Sequence, residues 1–281
     1  MLLEASDTIV SQEVIEQTRE EMGLNDPFLV QYGNWLLGVV QGDMGISYST
    51  KKPVMEKLME GFAGTVLLAL TTIILIMVIS IPLGIFSATH RNKIPDFLVR
   101  IFSFIGVSIP SFWVGLILLY IFGLKLGLVP IATAKVSFSG LILPALTLAI
   151  YQSAKYTRQV RTVILDELHQ DYVIGARARG LSEKAILWKH ILPNAILPLI
   201  TLLGMSIGWL LGGVAVIETV FSWPGIGKMA VQAITMRDYP LIEGIVLWIA
   251  TVYTVINFLV DLSYSYLDPR IKKGELIQYD F

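Results

Sequence analysis

The side chains most able to do chemistry lie in one basic stretch, residues 171–198, which reads DYVIGARARGLSEKAILWKHILPNAILP. Its arginines and lysines can bind carboxylates or phosphates through charge-assisted hydrogen bonds. The stretch therefore predicts a docking surface, either for an acidic partner protein or for anionic lipid.

This stretch predicts two short helices separated by a tight turn. The first begins at Asp171 and ends at Gly180, a residue suited to a left-handed C-cap. Ser182 can N-cap the second helix, which we expect to stop near His190, ahead of Pro193. Lipid binding does not require a glycine turn at a fixed place between two capped helices. We therefore favour a rigid element that docks a protein.

The chain lacks the patterns of several catalytic and metal-binding classes. It has no cysteine, no phosphate-cradling GxxxxGK(S/T) loop and no HExxH motif. Its histidines, His90, His169 and His190, all fall on the predicted cytoplasmic side, so none can belong to an external or midplane metal site. The formal net charge of -1 argues against bulk nucleic-acid binding. We expect no catalytic group, no bound metal and no cofactor on this chain.

Composition predicts an all-α integral membrane protein, because 54% of the residues are hydrophobic and only 15% are charged. A helix needs roughly 20 apolar residues to cross the hydrocarbon core. Five segments are predicted to span: 64–89, 98–124, 140–152 with a helical continuation toward Arg161, 191–217 and 241–262. Prolines within these runs are expected to kink the helices. The expected fold is a multi-span helical bundle.

Basic residues set the orientation, because cytoplasmic loops hold the excess of Lys and Arg. The segment between the third and fourth spans carries the largest group: Lys155, Arg158, Arg161, Arg177, Arg179, Lys184 and Lys189. That segment is therefore predicted to be cytoplasmic. Alternation then predicts an extracytoplasmic helical cap over residues 1–62, a membrane domain over 63–263 and a cytoplasmic tail over 264–281.

The predicted cap has soluble character, with amphipathic helices expected over residues 11–22 and 28–41. Neither a basic n-region nor an apolar h-region precedes it to direct export. We therefore expect a further transmembrane helix ahead of this sequence, with a self-translocating tail as the alternative. The intact mass of the natively expressed protein distinguishes the two.

A second candidate site follows the fourth predicted span. Residues 221–227 read FSWPGIG, which suits an external re-entrant turn, and Glu218 lies just before them. An ionisable residue near a membrane span is a functional candidate by default. Glu218, Trp223, Pro224, Gly225 and Gly227 are therefore candidate gate residues. The alternative is that the turn only closes a loop.

Residues 171–193 resemble the cytoplasmic coupling motif of ATP-binding-cassette (ABC) importer permeases. That motif has glutamate and two alanines, three residues, glycine, nine more residues, then isoleucine, any residue, leucine and proline. Aligned on Gly180, this chain matches the glycine, one alanine (Ala176) and Leu192 with Pro193, and it lacks the glutamate and isoleucine. The string DYVIGARARG is similar to the variant found in the peptide and nickel branch.

Nearly the whole chain resembles the B-type permease subunits of that branch. The stretches that carry the resemblance are GLNDPFLVQYGNWL, QGDMGISYSTKKPV, VSIPSFWVGLIL, HILPNAILPLI, ETVFSWPGIGKMAVQAI, RDYP and LDPRI. Those subunits have six spans, the first of which has no counterpart here.

The resemblance implies a non-catalytic transport subunit in the prokaryotic cytoplasmic membrane. Its implied partners are a second permease, with which we expect a heterodimer, two cytoplasmic ATPases that bind ATP-Mg, an extracytoplasmic solute-binding protein and membrane lipid. The implied coupling helices lie at 166–192. Their expected ATPase-coupling residues are Asp171, Tyr172, Ala176, Arg177, Arg179, Gly180, Leu192 and Pro193.

The sequence leaves the cargo open between nickel, carried as a chelate, and di- or oligopeptides. We favour nickel, by a small margin, from LNDPFLVQYGNWL and GISYSTKKPV. The alternative function is a secondary transporter driven by an ion gradient. Such a protein is expected to show inverted repeats and broken helices with midplane charges, and the five unequal spans show no such repeat.

Overall fold

A computed structural model describes residues 16–17, 19–20, 25–133 and 135–267 of the chain. The described chain is all-helical, as the composition predicted. Its helices are α1 (Phe28–Val40), α2 (Val54–Thr89), α3 (Ile94–Ser108), α4 (Ser111–Leu118), α5 (Phe138–Leu168), α6 (Asp171–Ala178), α7 (Glu183–Ile186), α8 (Leu192–Gly213), α9 (Ala215–Val220), α10 (Ile226–Thr235) and α11 (Tyr239–Leu267). A π-helix over Leu119–Lys125 extends α4, and another over Leu187–Ile191 joins α7 to α8.

Three helical segments in the described part of the chain are long and apolar enough to cross a membrane: Val54–Thr89, Glu183–Gly204 and Tyr239–Leu262. The pair α3 and α4 passes the same test together but is bent by 96°. The single kinked helix predicted over 98–124 is therefore wrong. Pro110 forces Ile109 into extended backbone (φ -97°, ψ 130°), so the helix breaks there instead of bending.

Helix α5 corresponds to the third predicted span and lies at the centre of the bundle. It extends to Leu168, so the predicted helical continuation toward Arg161 is confirmed. It packs along α2 and also contacts α3, α4 and α8. Buried residues recur along most of its length, including the polar Thr147, Gln152 and Thr157. The least apolar of the predicted spans therefore packs against the first, second and fourth of them.

Three buried apolar clusters lie at different levels of the bundle. One joins α2, α5, α8 and α9 around Leu68, Leu148, Leu210, Ile217 and Trp223. A second, at the end predicted to be cytoplasmic, joins α2, α5, α6, α7 and α8. The third joins α2, α10 and α11 at the opposite end. Both ends of the bundle therefore have packed cores of their own.

Parts of the predicted cap and tail lie outside the described residues. Residues 16–17 and 19–20 of the predicted 11–22 helix are described and are helical, and the rest of that helix is not described. The predicted 28–41 helix is confirmed as α1. Helix α11 continues through residue 267, so the predicted tail at 264–281 begins inside it, and residues 268–281 are outside the described chain.

Candidate functional site

The turn after α6 has the conformation that the sequence predicted for a glycine. Gly180 has φ +79°, which residues with a Cβ rarely adopt. Its N–H donates to the Arg177 carbonyl at 2.9 Å, and the Leu181 N–H donates to the Ala176 carbonyl at 3.3 Å. These two bonds form a Schellman motif, which satisfies carbonyls at the end of the helix. Gly180 thus ends α6 and reverses the chain.

Helix α7 begins immediately after this turn. The Ser182 hydroxyl accepts a hydrogen bond from the Ala185 N–H at 3.3 Å, so the predicted N-cap is confirmed. We call residues 171–186, which comprise α6, the turn and α7, the hairpin. Both of its helices are closed by local hydrogen bonds, which fix its shape independently of any partner.

The inner side of the hairpin is buried in the second apolar cluster. Val173 and Ala176 of α6 and Ile186 of α7 are fully buried. The cluster continues into Ala88, Val160 and Ile164, and then into Ile191, Ala195 and Leu199. The hairpin and the ends of α2, α5 and α8 therefore share one close-packed core, which resists relative displacement.

The outer side of the hairpin is exposed, and large apolar side chains accompany its charges, one on α6 and one on the π-helix that follows α7. Arg177 donates to the Glu183 carboxylate through Nε at 2.7 Å and Nη2 at 3.1 Å. Ile174 and Trp188 are more than half exposed. The sequence had assigned the arginines to acidic partner residues, but Arg177 already has a carboxylate within the hairpin. Because an exposed ion pair contributes little to stability, a partner could exchange it.

Tyr172 and Arg179 make local contacts instead of projecting freely. The Tyr172 hydroxyl donates to the Glu167 carboxylate at 2.5 Å. Burial and this carboxylate raise the pKa of Tyr172 above its usual value. The Arg179 Nε donates to the Gly175 carbonyl at 3.3 Å. Asp171 is exposed in the first turn of α6, where the helix dipole favours a carboxylate.

The predicted helix end near His190 is wrong. The chain stays helical from α7 through the π-helical Leu187–Ile191 into α8, and Pro193 lies in the first turn of α8. A wide π turn accommodates a residue that cannot donate an N–H and whose ring would clash in a regular helix. Leu192 is half-buried and Pro193 is exposed. The hairpin therefore continues into the fourth span without a break.

The predicted gate residues come together in one packed turn between α9 and α10. The Glu218 carboxylate is fully buried and accepts hydrogen bonds from Thr65 Oγ1 at 2.7 Å and from the Lys228 N–H at 2.9 Å. Burial raises the pKa of Glu218 above its usual value. Trp223 is also fully buried, and its Nε1 donates to the Gly64 carbonyl at 2.9 Å. The turn is thus bonded to α2.

Close approach of backbone explains the glycines around this turn. A Cβ at Gly64 would overlap the Pro224 carbonyl oxygen, and one at Gly225 would overlap the Glu218 carboxylate. A Cβ at Gly227 would overlap Ala215 of α9. The structure therefore gives these residues a packing role, and a gate function for them stays a prediction.

Asp238 at the start of α11 holds a polar cluster that the sequence did not assign. Its carboxylate accepts bonds from the hydroxyls of Ser47 and Ser49 at 2.6 Å each and from the N–H groups of Tyr48 and Ser49 at 3.0 Å each. Burial opposes ionisation, but these hydrogen bonds outweigh it and lower the pKa of Asp238 to about 2. The cluster ties the segment before α2 to α11, and the motifs GISYST and RDYP supplied its only sequence signal.

A second unassigned group lies at the opposite end of the bundle. The Asp96 carboxylate is fully buried and accepts from Arg161 Nε at 2.7 Å and Nη2 at 2.9 Å. Ser87 Oγ and the Asn92 N–H donate to it at 2.6 and 2.9 Å. These bonds join α2, α3 and α5. A carboxylate next to the start of the predicted span 98–124 was the signal that could have identified it.

Metal ligands do not cluster in the part of the chain that the structure describes: no group of three or more His, Cys, Asp or Glu side chains could hold an ion.

A family model described as "Binding-protein-dependent transport system inner membrane component" matches residues 80–273. The oligopeptide transport system permease protein AppB of Bacillus subtilis is 42% identical over 95% of this chain and 87% of its own length. The dipeptide transport system permease protein DppB of Alkalihalophilus pseudofirmus is 37% identical over 93% of this chain and 87% of its length. The glutathione transport system permease protein GsiC of Escherichia coli is 36% identical over 92% and 85%.

Two solved structures show a similar fold. A chain of the inward-facing MetNI methionine ABC transporter superposes with a TM-score of 0.63 at 19% identity, covering 76% of this chain and 97% of that chain. A chain of an amino acid ABC transporter with histidines superposes with a TM-score of 0.52 at 19% identity, covering 76% and 94%.

Proposed function

The chain belongs to the family of binding-protein-dependent transport system inner membrane components, and from that membership we infer that its hairpin couples the membrane spans to cytoplasmic ATPase subunits. It is a non-catalytic permease subunit of an ABC importer and a multi-pass protein of the bacterial inner membrane. In such a system, ATP is bound and hydrolysed by partner subunits. The proposal concerns where those subunits attach and what the importer carries.

The continuous core between the hairpin and the spans is the observation that carries this proposal. Val173, Ala176 and Ile186 pack against the same residues that hold the ends of α2 and α5 together. A force on the exposed side of the hairpin therefore moves this end of the bundle as one body, because a close-packed core transmits displacement instead of absorbing it.

The unbroken connection from α7 into α8 gives that force a direct path. Residues 187–191 stay helical, so no flexible loop separates the docking surface from the fourth span. We propose that closure of the ATPase dimer tilts the hairpin and thereby rocks the spans between inward and outward access. Asp171, Arg177, Arg179 and the exposed Trp188 are proposed to face the ATPase.

The rest of the proposed assembly follows from the family. A second permease completes the translocation pathway, two ATPase subunits bind ATP-Mg, and a solute-binding protein delivers cargo to the opposite side. The packed turn that contains Trp223, together with Glu218 just before it, is proposed to close the pathway on that side, because hydrogen bonds hold both residues against α2.

The proposed cargo is a peptide-class solute. The three relatives described above carry the names of oligopeptide, dipeptide and glutathione permeases, which favour peptides over nickel. The described residues also hold no cluster that could bind a bare metal ion. Peptides therefore replace nickel as the preferred cargo, and a nickel chelate becomes the second candidate.

Uptake by the complete importer tests both parts of the proposal. Cells that lack their own peptide importers would express this chain with its second permease, ATPases and binding protein, and would receive radiolabelled di- and tripeptides. We expect peptide uptake that disappears when the ATPases are omitted. A matched culture would receive a labelled nickel chelate. Uptake of the chelate alone would overturn the cargo, and peptide uptake driven by an ion gradient without the ATPases would overturn the coupling.

A further inference from the structure

A basic cavity lies between α3 and α5 at the end of the bundle predicted to be cytoplasmic. Its volume is about 410 Å³, and its walls include Phe97, Arg100, Ile101, Phe104, Arg158 and Arg161. That volume lies within the range of about 300–1,000 Å³ typical of ligand sites. It is separate from the hairpin core and from the turn that contains Glu218.

The charges around this cavity do not cancel. Asp96 is buried behind it and pairs with Arg161 at 2.7 Å, while the Arg100 Nε lies 3.7 Å from the same carboxylate. Among the described residues, the Arg158 guanidinium has no ion pair or hydrogen bond, and none of the lining residues is a carboxylate. Three guanidinium groups thus face one carboxylate, which leaves an excess of two positive charges.

Arg161 is a pre-positioned donor in this arrangement. Two of its nitrogens donate to Asp96, and its side chain is only 17% exposed. A guanidinium has five N–H groups, so it retains donors for a second anion. Because Asp96 already holds the Arg161 guanidinium in place, binding of a second anion costs little additional side-chain entropy.

The apolar part of the cavity continues along α3 toward the membrane. Phe97, Ile101 and Phe104 follow the i, i+4, i+7 spacing of one helix face, and all three are exposed. The stripe from Phe97 to Phe104 rises about 10 Å along the helix axis. The cavity therefore has a basic end and an apolar groove, which together match an amphiphile with an anionic headgroup.

We propose that this cavity binds an anionic phospholipid of the cytoplasmic leaflet. Its phosphate would bind Arg100, Arg158 and the remaining donors of Arg161, and an acyl chain would lie along the stripe of α3. Basic pockets between transmembrane helices on the cytoplasmic side are sites where such headgroups bind. Since Asp96 and Arg161 link α2, α3 and α5, the bound lipid would brace the end of the bundle that carries the hairpin.

Lipid retention by the purified importer tests the proposal. The complex of permeases and ATPases would be placed in nanodiscs of phosphatidylcholine with a minor fraction of phosphatidylglycerol, and retained lipid would be counted by native mass spectrometry. We expect the double variant Arg100→Gln, Arg158→Gln to bind phosphatidylglycerol about thirtyfold more weakly. Lys93→Gln removes a charge at the same end outside the cavity and should retain the lipid.

Two further measurements keep the outcome decisive. The double variant Arg100→Lys, Arg158→Lys preserves the charges and should recover most of the binding, which separates charge from misfolding. The sequence has no cysteine, so Ile101→Cys gives this chain one thiol, to which a maleimide–benzophenone label can be attached. On irradiation we expect the label to form adducts with phosphatidylglycerol. Three results would overturn the proposal. The first is equal lipid retention in all variants, and the second is cross-linking of position 101 to the second permease. The third is a change in peptide KM without a change in lipid retention.

Discussion

Replacing Gly180 separates the strain of the hairpin turn from its contact with the ATPase. Gly180 has φ +79°, and a Cβ built there would meet no atom within 4 Å. A substitution is therefore strained by its backbone conformation alone. For an ordinary L-residue this costs roughly 1–2 kcal/mol, and less for Asn or Asp, which visit the left-handed region more readily.

Comparison of Gly180→Asp with Gly180→Asn measures the effect on the ATPase contact, because the two side chains have nearly the same shape and impose nearly the same backbone strain. The added carboxylate would lie at the C-terminal end of α6, where the helix dipole disfavours it by about 0.3–1 kcal/mol. Within this chain the two variants should therefore differ by about fivefold at most in the stability of the turn. A larger difference in function must arise from a partner surface.

We expect Gly180→Asp to abolish peptide uptake and solute-stimulated ATPase activity, and Gly180→Asn to keep most of both. Both variants should insert into the membrane normally, because a Cβ at residue 180 would meet no atom within 4 Å. The assays are uptake and ATPase activity in proteoliposomes, with copurification of the ATPases as the readout of docking. Normal uptake by Gly180→Asp would refute the coupling role. Equal loss in both variants would refute the separation of strain from contact.

Three other changes test the remaining structural sites. Gly64→Ala should displace the packed turn that contains Trp223 and lower the thermal midpoint in detergent, whereas Gly33→Ala, which has open space at its Cβ, should not. Similar midpoints for the two variants would refute the packing role. Arg161→Ala removes the closest ion pair of the buried Asp96 and leaves it Ser87, the Asn92 N–H and the more distant Arg100. We therefore expect a loss in the free energy of unfolding of at most about 3 kcal/mol, and the additional change Asp96→Ala should restore part of it, as unfolding titrations would measure. The folded pKa of about 2 for Asp238 lies below the unfolded pKa of about 3.9. The stabilisation by Asp238 is therefore complete above about pH 3.9 and is lost as the pH falls toward 2. Asp238→Asn should make the melting temperature less dependent on pH between about 4 and 2, and an unchanged pH dependence would show that the cluster does not titrate.

Local conformation at the hairpin was predictable because it depends on neighbouring residues. Gly180 and Ser182 act through hydrogen bonds that span three to five positions of the chain, so their residue types and spacing specify the turn. The helix end predicted near His190 was wrong because that prediction also used only neighbouring residues: a proline such as Pro193 usually ends a helix. The π turn that accommodates it depends on packing against other helices, which the spacing of residues does not encode.

The break at Pro110 shows a similar limit. A proline within an apolar run is compatible with a kink or with a complete break, and the sequence favoured the kink. The structure has a 96° bend there, because Ile109 adopts an extended conformation. The helices on the two sides of the break, α3 and α4, both pack against α5, and the sequence does not show where α5 lies.

Composition, apolar run length and local capping were enough to predict the helical class, the membrane environment and the hairpin, while the family was recognised from the resemblance of its motifs. Which distant residues meet depends on how the helices pack. Glu218 finds Thr65 across 153 positions, and Asp238 finds Ser47 across 191. A buried carboxylate must be paired or hydrogen-bonded, but the residues next to it in the sequence do not identify its partner. The hairpin is packed against the spans because Val173 shares their core, and that contact exists only once the helices are packed.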